Sequence, residues 1–399
     1  MTDRMIDQTV AIEIAPEMWA PATRDGAAAE YIAAPSLTFW QDVRKRLWAN
    51  KPAMLGLGFI ILLVLAAIFG PMLSRHTYFE QNLKLSNVPP LFQTYAVTDG
   101  TGATTRFFFN SGNLNLYEVT PSGEVAGLIR PAKKDLIKKQ QQFKFGDREV
   151  LLDTAKQQLS FADGAALAPS GWQWNMSNLL GTDQLGRDVL ARQLYGARIS
   201  LTVAFVATLV NFFIGVFYGG LAGYLGGKAD TIMMRIVEVI STIPLTLYVI
   251  LIMVVFNSGF LSVVLAIGSV YWVDMARIVR GQILTLKQQD YVAAARTMGA
   301  STPRILVRHL LPNSVGPILV TLTMLIPSAI FIESFMSFIG LGVTPPEASW
   351  GTLTSEAVET LRAYPYQLFF PAAAISLTMF AFNFLGDGLR DALDPRLRT

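Results

Sequence analysis

Asp290-Tyr-Val-Ala-Ala-Ala-Arg-Thr-Met-Gly299-Ala-Ser-Thr-Pro-Arg-Ile-Leu-Val-Arg-His-Leu-Leu-Pro312-Asn reads as two short helices joined by a glycine turn. Tyr291, Ala294, Ala295 and Met298 fall at i, i+3, i+4 and i+7, which is one face of a helix. Asp290 is placed to cap the first helix, and Gly299 stands where a helix commonly ends in a left-handed residue. Thr302 caps the second helix with Pro303 at its first position, and Pro312 is expected to stop it. Arg296, Arg304 and Arg308 make the hairpin basic. Taken alone, the pattern also fits a DNA-reading helix-turn-helix. The flanks decide against that, because apolar segments of membrane-spanning length lie on both sides. A basic hairpin tied between two membrane helices is placed to dock on a cytoplasmic partner. The fold expected from this stretch is an all-α polytopic membrane protein.

Composition points the same way. The 399 residues are 52% hydrophobic and 15% charged, with a mean hydropathy of +0.40, as in an integral membrane protein. A net charge of +3 leaves no nucleic-acid footprint. The absence of cysteine excludes disulfides, thiolate metal sites and cysteine nucleophiles. His76 and His309 are far apart and lack ligand spacing, so no metal site is expected. A phosphate-binding Gly-x-x-x-x-Gly-Lys-Ser/Thr loop does not occur. Gly226-Gly227-Lys228-Ala229 comes nearest, with Ala229 where a hydroxyl is needed. Neither ATP hydrolysis nor a resident cofactor is expected of this chain.

Residues 1–35 carry six acidic and two basic side chains and read as a flexible cytoplasmic tail. In residues 36–52, Trp40, Val43, Leu47 and Trp48 share a helical face while Arg44, Lys45 and Arg46 point elsewhere. That suits an amphipathic helix on the membrane surface, with an ordinary lead-in turn as the alternative. Residues 53–73 form an uncharged first span, and Arg44, Lys45, Arg46 and Lys51 fix its start in the cytoplasm. Residues 74–180 then lie outside the membrane. They hold strand-like runs at 105–109, 114–119 and 124–129, turns near Gly112 and Gly123, and a basic helical stretch at 132–142. The expectation is a small α+β extracytoplasmic insert. Lys133, Lys134, Lys138 and Lys139 read as a solvated helix face, with acidic lipid as the alternative. Asn175-Met-Ser177 fits a glycosylation acceptor, a tripeptide common by chance.

The core of residues 181–399 carries five further spans, near 199–227, 239–257, 260–276, 315–342 and 367–386, with the hairpin inside a cytoplasmic loop at 277–313. Gly215, Gly219, Gly223 and Gly227, spaced by four, form a smooth stripe for close helix packing. Glu333 is a carboxylate at membrane depth. It lies in a translocation pathway, or it caps an interrupted helix or pairs with a neighbour.

The hairpin resembles the cytoplasmic coupling loop of ABC importer permeases, Glu-Ala-Ala…Gly…Leu-Pro. Ala293 stands at the glutamate position, followed by Ala294, Ala295, Gly299 and the closing Leu311-Pro312. Further blocks resemble peptide-importer permeases of the C type. They are Asn50-Lys-Pro-Ala-Met-Leu-Gly56, Gly181-Thr-Asp-Gln-Leu-Gly-Arg-Asp188, Glu333-Ser-Phe-Met-Ser-Phe-Ile-Gly-Leu-Gly342, Thr344-Pro-Pro-Glu-Ala-Ser-Trp-Gly351 and the tail from Gly386 to Arg398. The likeness covers most of residues 40–73 and 181–399, and the insert departs from it by its length.

The resemblance implies a type I importer permease fold with six transmembrane helices, importing dipeptides and oligopeptides. It implies a second homologous permease, two ATPase subunits that bind ATP and Mg, and an extracytoplasmic binding protein. Tyr291, Ala293, Ala294, Ala295, Arg296, Gly299, Ala300, Leu311 and Pro312 would be the ATPase-coupling positions. The setting implied is a bacterial inner membrane with both termini cytoplasmic. Nickel, glutathione and peptide antibiotics are cargoes of the same family. Of the other classes, an ion-coupled secondary transporter would show several intramembrane ionisable groups, and a membrane enzyme a clustered catalytic set.

Overall fold

The structure, a computed structural model, describes residues 38–257, 259–344 and 346–394. The tail read at 1–35 lies outside them. Helix α1 is Phe39–Ala49, begun by the Gln41 Oε1 that accepts the Thr38 N–H at 2.9 Å. Its Val43 is buried against Ala392 and Leu393, while Trp40 and Trp48 stay exposed. Asn50 then caps α2, Lys51–Leu73, by accepting the Ala53 N–H at 3.2 Å. Small residues bring α2 against the last helix. A Cβ on Gly56 would lie 2.5 Å from the Ala381 carbonyl oxygen, and Ala53 is wholly buried against Gly388.

The insert is a β-sandwich, a correction to the α+β expectation. It holds nine strands: β1 Leu91–Thr98, β2 Thr104–Asn110, β3 Asn115–Val119, β4 Val125–Ile129, β5 Lys133–Asp135, β6 Gln140–Phe145, β7 Arg148–Asp153, β8 Gln158–Phe161 and β9 Gly171–Trp174. One antiparallel sheet runs β4-β3-β2-β1-β9 and the other β5-β6-β7-β8. The period of two is plain at Phe107 and Phe108, which are both fully buried on opposite faces. Phe107 stacks on Phe145 of the second sheet at 4.8 Å, and Phe108 stacks on Phe92 at 4.1 Å. The stretch 132–142, expected to be helical, is the β5–β6 hairpin instead. Its residues are good helix formers, yet Phe143 and Phe145 alternate into the core and ladder pairing overrides propensity.

The insert's neck is fastened to the bundle by the start of the last helix. Tyr366 donates its hydroxyl to the Thr182 carbonyl at 2.6 Å, and Gln367 Nε2 donates to Asn87 Oδ1 at 2.8 Å.

The bundle follows as α3 Val189–Leu225, α4 Gly227–Thr242, α5 Leu245–Phe256, α6 Phe260–Val270, α7 Trp272–Leu286, α8 Asp290–Thr297, α9 Thr302–Ile305, α10 Leu311–Asn313, α11 Val315–Phe338, α12 Trp350–Val358 and α13 Tyr366–Leu393. Among the described residues five helices are long and apolar enough to cross a membrane: α2, α3, the continuous α6–α7 run, α11 and α13. Helices α4 and α5 make a sixth if taken as one span, although they bend by 84°. Pro244 sits at that bend, and the residue before a proline is pushed out of the helical region, as Ile243 is at ψ 125. The third span expected at 239–257 is therefore broken near its start.

Helix α3 begins well before the expected residue 199, because it runs unbroken from Val189 after the Asp188 cap. Gly215, Gly219 and Gly223 line its contact with α7. A Cβ on Gly215 would lie 2.5 Å from the Met275 Cβ, one on Gly219 would collide with the Ala276 carbonyl, and one on Gly223 would lie 2.9 Å from the Arg280 carbonyl oxygen. Gly227 does not belong to this stripe. Gly226 caps α3 at φ +67, and Gly227, at φ +55, has nothing within 4 Å of a Cβ.

Gly219→Leu is expected to destabilise the protein by about 1–3 kcal/mol or more, the cost of overpacking a tight contact. Gly281→Ala, inside α7 with open space around it, should be neutral or gain roughly 0.5–1 kcal/mol. Thermal midpoints of the two detergent-solubilised variants check the seam, and equal midpoints would refute it.

Candidate functional site

The hairpin has two sides. Val292 and Ala295 of α8 are buried in one cluster with Ile283 of α7, Ile305 and Leu310 of the second arm and Ile318 of α11. Tyr291, Ala293, Ala294 and Met298 are exposed, Met298 at 80%. Of the four residues read as one face, only Ala295 turns inward. The others share the outer surface. Helix α8 starts one residue earlier than expected, with Gln289 at the N-cap and Asp290 already in the first turn. It closes as a Schellman motif, in which Ala300 N–H donates to Ala295 O at 3.0 Å and Gly299 N–H to Arg296 O at 2.9 Å. Gly299 has φ +80, a conformation that other L residues adopt only under strain.

The second arm has Ser301, not Thr302, at its N-cap. Pro312 does not stop it. Residues Leu306–Leu310 form a π turn, with Leu311 N–H donating to Leu306 O, and the chain continues through α10 into α11. Pro312 lacks an N–H, and its ring would clash with a carbonyl of an ordinary preceding turn. The wider turn relieves that clash. Ser314 Oγ donates to the carbonyls of Leu310 and Leu311 at 2.9 and 3.1 Å.

The hairpin is fixed to the end of α3. Lys287 Nζ donates to Gly223 O at 2.8 Å, and the Arg296 guanidinium lies 5.5 Å from the Tyr224 ring centroid. Arg280 forks onto both oxygens of Asp230 at 2.5 and 2.7 Å.

At the other end of α3 is a charge cluster that sequence reasoning missed. Asp183 Oδ2 accepts from Arg187 Nε at 2.6 Å and Arg192 Nη1 at 2.7 Å, and both arginines also donate to Glu356 of α12, at 2.7 and 2.6 Å. Arg192 is 2% exposed. Asp183 and Arg187 belong to the Gly-Thr-Asp…Gly-Arg-Asp block, and Asp188 caps α3 by accepting the Ala191 N–H at 2.7 Å. The sequence signal was the spacing Asp183, Arg187 and Arg192. Glu356 is too distant along the chain to be picked.

Glu333 is completely buried. Ser200 of α3 and Ser337 of α11 donate to its two oxygens at 2.9 and 2.8 Å. Ser200 Oγ also accepts the Trp350 N–H at 3.2 Å, and Ser349 donates to Ser337 at 3.3 Å. The carboxylate thus ties α3, α11 and the start of α12 together. Gly351 lets α12 close on this point, since a Cβ there would lie 2.6 Å from the Ser334 Cα. Among the described residues no group of three or more acidic or histidine side chains could hold a metal.

Arg192→Met should cost about 3 kcal/mol, because it strips a buried donor from the largely desolvated Asp183 and from the half-buried Glu356. Thermal unfolding of the purified chain measures this, and an unchanged midpoint would remove the cluster's structural role.

Comparison with known proteins agrees with this architecture. Residues 213–399 match the binding-protein-dependent transport system inner membrane component family, and residues 38–90 match the N-terminal TM domain of oligopeptide transport permease C. The chain is 39% identical over 381 residues to the oligopeptide transport system permease protein OppC of Bacillus subtilis, covering 96% of this chain and 97% of that one. It is 40% identical over 371 residues to the dipeptide transport system permease protein DppC of the same organism, covering 93% and 90%. It is 45% identical over 231 residues to the glutathione transport system permease protein GsiD of Pectobacterium atrosepticum, covering 58% and 75%. The chain belongs to the family of binding-protein-dependent transport permeases, alongside the OppC and DppC oligopeptide and dipeptide permeases.

Proposed function

We propose that this chain is one of two permease subunits of an ATP-driven importer of dipeptides and oligopeptides, and that its 290–312 hairpin takes the stroke of a partner ATPase. The observation that carries this reading is the two-sided hairpin. Its inner face is packed on α7 and α11 and tied to α3, while small and flexible side chains (Ala293, Ala294, Met298) face outward. Small residues let such a surface sit deep in a partner's groove. Ala293 offers no carboxylate, so docking rests on shape and on Arg296 and Tyr291.

In this reading two ATPase subunits bind ATP and Mg, and a second homologous permease completes the pathway. An extracytoplasmic binding protein delivers the cargo. The bent α4–α5 pair counts as one span, giving six. Lys51 and the basic residues of α1 support a cytoplasmic start for α2, and with six spans this reading has the insert extracytoplasmic and both termini cytoplasmic. The setting is a bacterial inner membrane. Closure of the ATPases pushes the hairpin, and α3 carries the displacement toward the opposite face. The names of the Bacillus relatives support peptides as cargo, and the glutathione relative supports a glutathione importer as the second reading. Ion-coupled transport is disfavoured because Glu333 is enclosed and bonded to hydroxyls rather than open to a pathway.

Mass spectrometry of the gently solubilised complex from its native membrane should recover two ATPase-type chains and a second permease. Recovery of this chain alone under several mild detergents would overturn the importer reading. Gly299→Asp and Ala294→Glu should insert normally and keep ATPase activity in the assembled complex. Their peptide uptake should fall about tenfold, a loss within the usual range of coupling energies. Normal uptake by both variants removes the hairpin from coupling. Glu333→Gln should lower the thermal midpoint yet leave uptake per folded complex unchanged. Lost uptake at full stability would place that carboxylate in the translocation pathway.

A further inference from the structure

The turn joining β5 and β6 projects two bare aliphatic side chains. Leu136 is 88% exposed and Ile137 is 95% exposed, between Lys133, Lys134, Lys138 and Lys139, all of them exposed. The turn is ordered, since Asp135 Oδ1 accepts the N–H groups of Ile137 and Lys138, each at 3.0 Å, and Lys139 is left-handed at φ 52. The Lys138 N–H holds the Asp135 carboxyl below its ordinary range, against desolvation and with help from the Ile137 N–H and the charges of Lys138 and Lys133. Four lysines against one aspartate leave the tip strongly basic.

Strand register shows where this tip points. Gln140 pairs with Asp153, so the β5–β6 turn lies beside the β7–β8 turn, and Thr154 donates N–H and Oγ1 to Lys139 O at 2.9 and 2.7 Å. Gln157 of that second turn donates to Ser111 O at 3.4 Å, and the adjoining Gly112 packs against the Tyr364 ring just before α13. The tip is therefore at the end of the sandwich that rests on the helix bundle. The opposite end is marked by the Gly100 N–H donating to Asp147 at 2.6 Å. Strand β5 is an edge strand, three places from β8, which sets it on the order of 14 Å to the side. A basic turn with an apolar tip, beside the bundle and facing its helix ends, is placed over the lipid headgroups.

We propose that the β5–β6 turn is a membrane-surface anchor, with Leu136 and Ile137 entering the headgroup layer and the four lysines holding anionic phospholipid. Aliphatic insertion and lysine–lipid attraction act together, and a lysine stem can lie along apolar surface while its ammonium stays in the polar layer. The inference requires that the bundle span a membrane and is independent of the cargo and of the ATPase partners. It makes the insert a brace that fixes the sandwich's tilt over the bundle.

The chain has no cysteine, so Ile137→Cys gives a unique site for an environment-sensitive fluorophore on the full-length protein. Thr101→Cys, at the far end of the sandwich, is the control. Both are reconstituted in lipid nanodiscs of phosphatidylglycerol and phosphatidylcholine, or of phosphatidylcholine alone, with a shallow nitroxide-labelled lipid. The anchor requires quenching at position 137 in anionic discs and none at 101. Most of that quenching should be lost in neutral discs, and also when the four lysines are changed to Gln with no change in thermal midpoint. An unquenched probe in anionic discs overturns the proposal. So does quenching that ignores both lipid charge and the lysine changes. Protection that arises only when a second permease is co-reconstituted overturns it too, and assigns the turn to a protein interface.

Discussion

The close approach of α3 and α7 is the constraint on which the other contacts depend. In lipid there is no hydrophobic force between helices, so association rests on packing and hydrogen bonds. Gly215, Gly219 and Gly223 allow backbone to meet backbone over two turns of helix, with carbonyls of Trp272, Ala276 and Arg280 against the stripe. Once that contact is set, the rest of α3 is placed, because a helix of 37 residues is about 55 Å long. One end receives Lys287 and Arg296 from the hairpin segment. The other end carries Arg192 and Ser200. A single stiff element therefore joins the hairpin to the neck of the insert.

Helix α12 closes the second of those ends. Its start is held by Ser349 and Trp350 against Glu333 and Ser200, and its last turn offers Glu356 to the two arginines. Taking these charges out of water is costly, and only mutual satisfaction offsets the cost. Such a cluster rewards one geometry and penalises near neighbours. This gives the Gly-Thr-Asp…Gly-Arg-Asp and Ala-Ser-Trp-Gly blocks a shared physical reason: they are the two halves of one closure.

The spans and the hairpin are legible in the sequence because lipid demands long apolar runs and a helical turn leaves a fixed spacing. Gly299 is legible for its backbone geometry. Other features are set by partners distant along the chain. The run Lys133 to Gln142 has helical composition, and only the partners of Phe143 and Phe145 make it a hairpin. Which side of α8 is buried depends on Ile283 and Ile318, so the spacing of Tyr291, Ala294 and Met298 gives a face without saying where it looks. Ile243-Pro244 carried a break signal that the apolar run around it concealed. Gly227 shares the spacing of the stripe and lies one turn too late, after the helix has ended at Gly226. Glu356 had no local signal at all.

The π turn before Pro312 also sets rotational phase. In an α-helix each residue turns the chain by about 100°, so side chains five apart point well away from each other. Ile305 and Leu310 are five apart and nonetheless share a cluster with Ile318 and Leu325, because the wide turn absorbs the surplus residue. The second arm of the hairpin and α11 thus meet with a defined angular offset. The number of residues between Ile305 and Pro312 therefore governs which face of α11, the helix that carries Glu333, is turned toward that cluster.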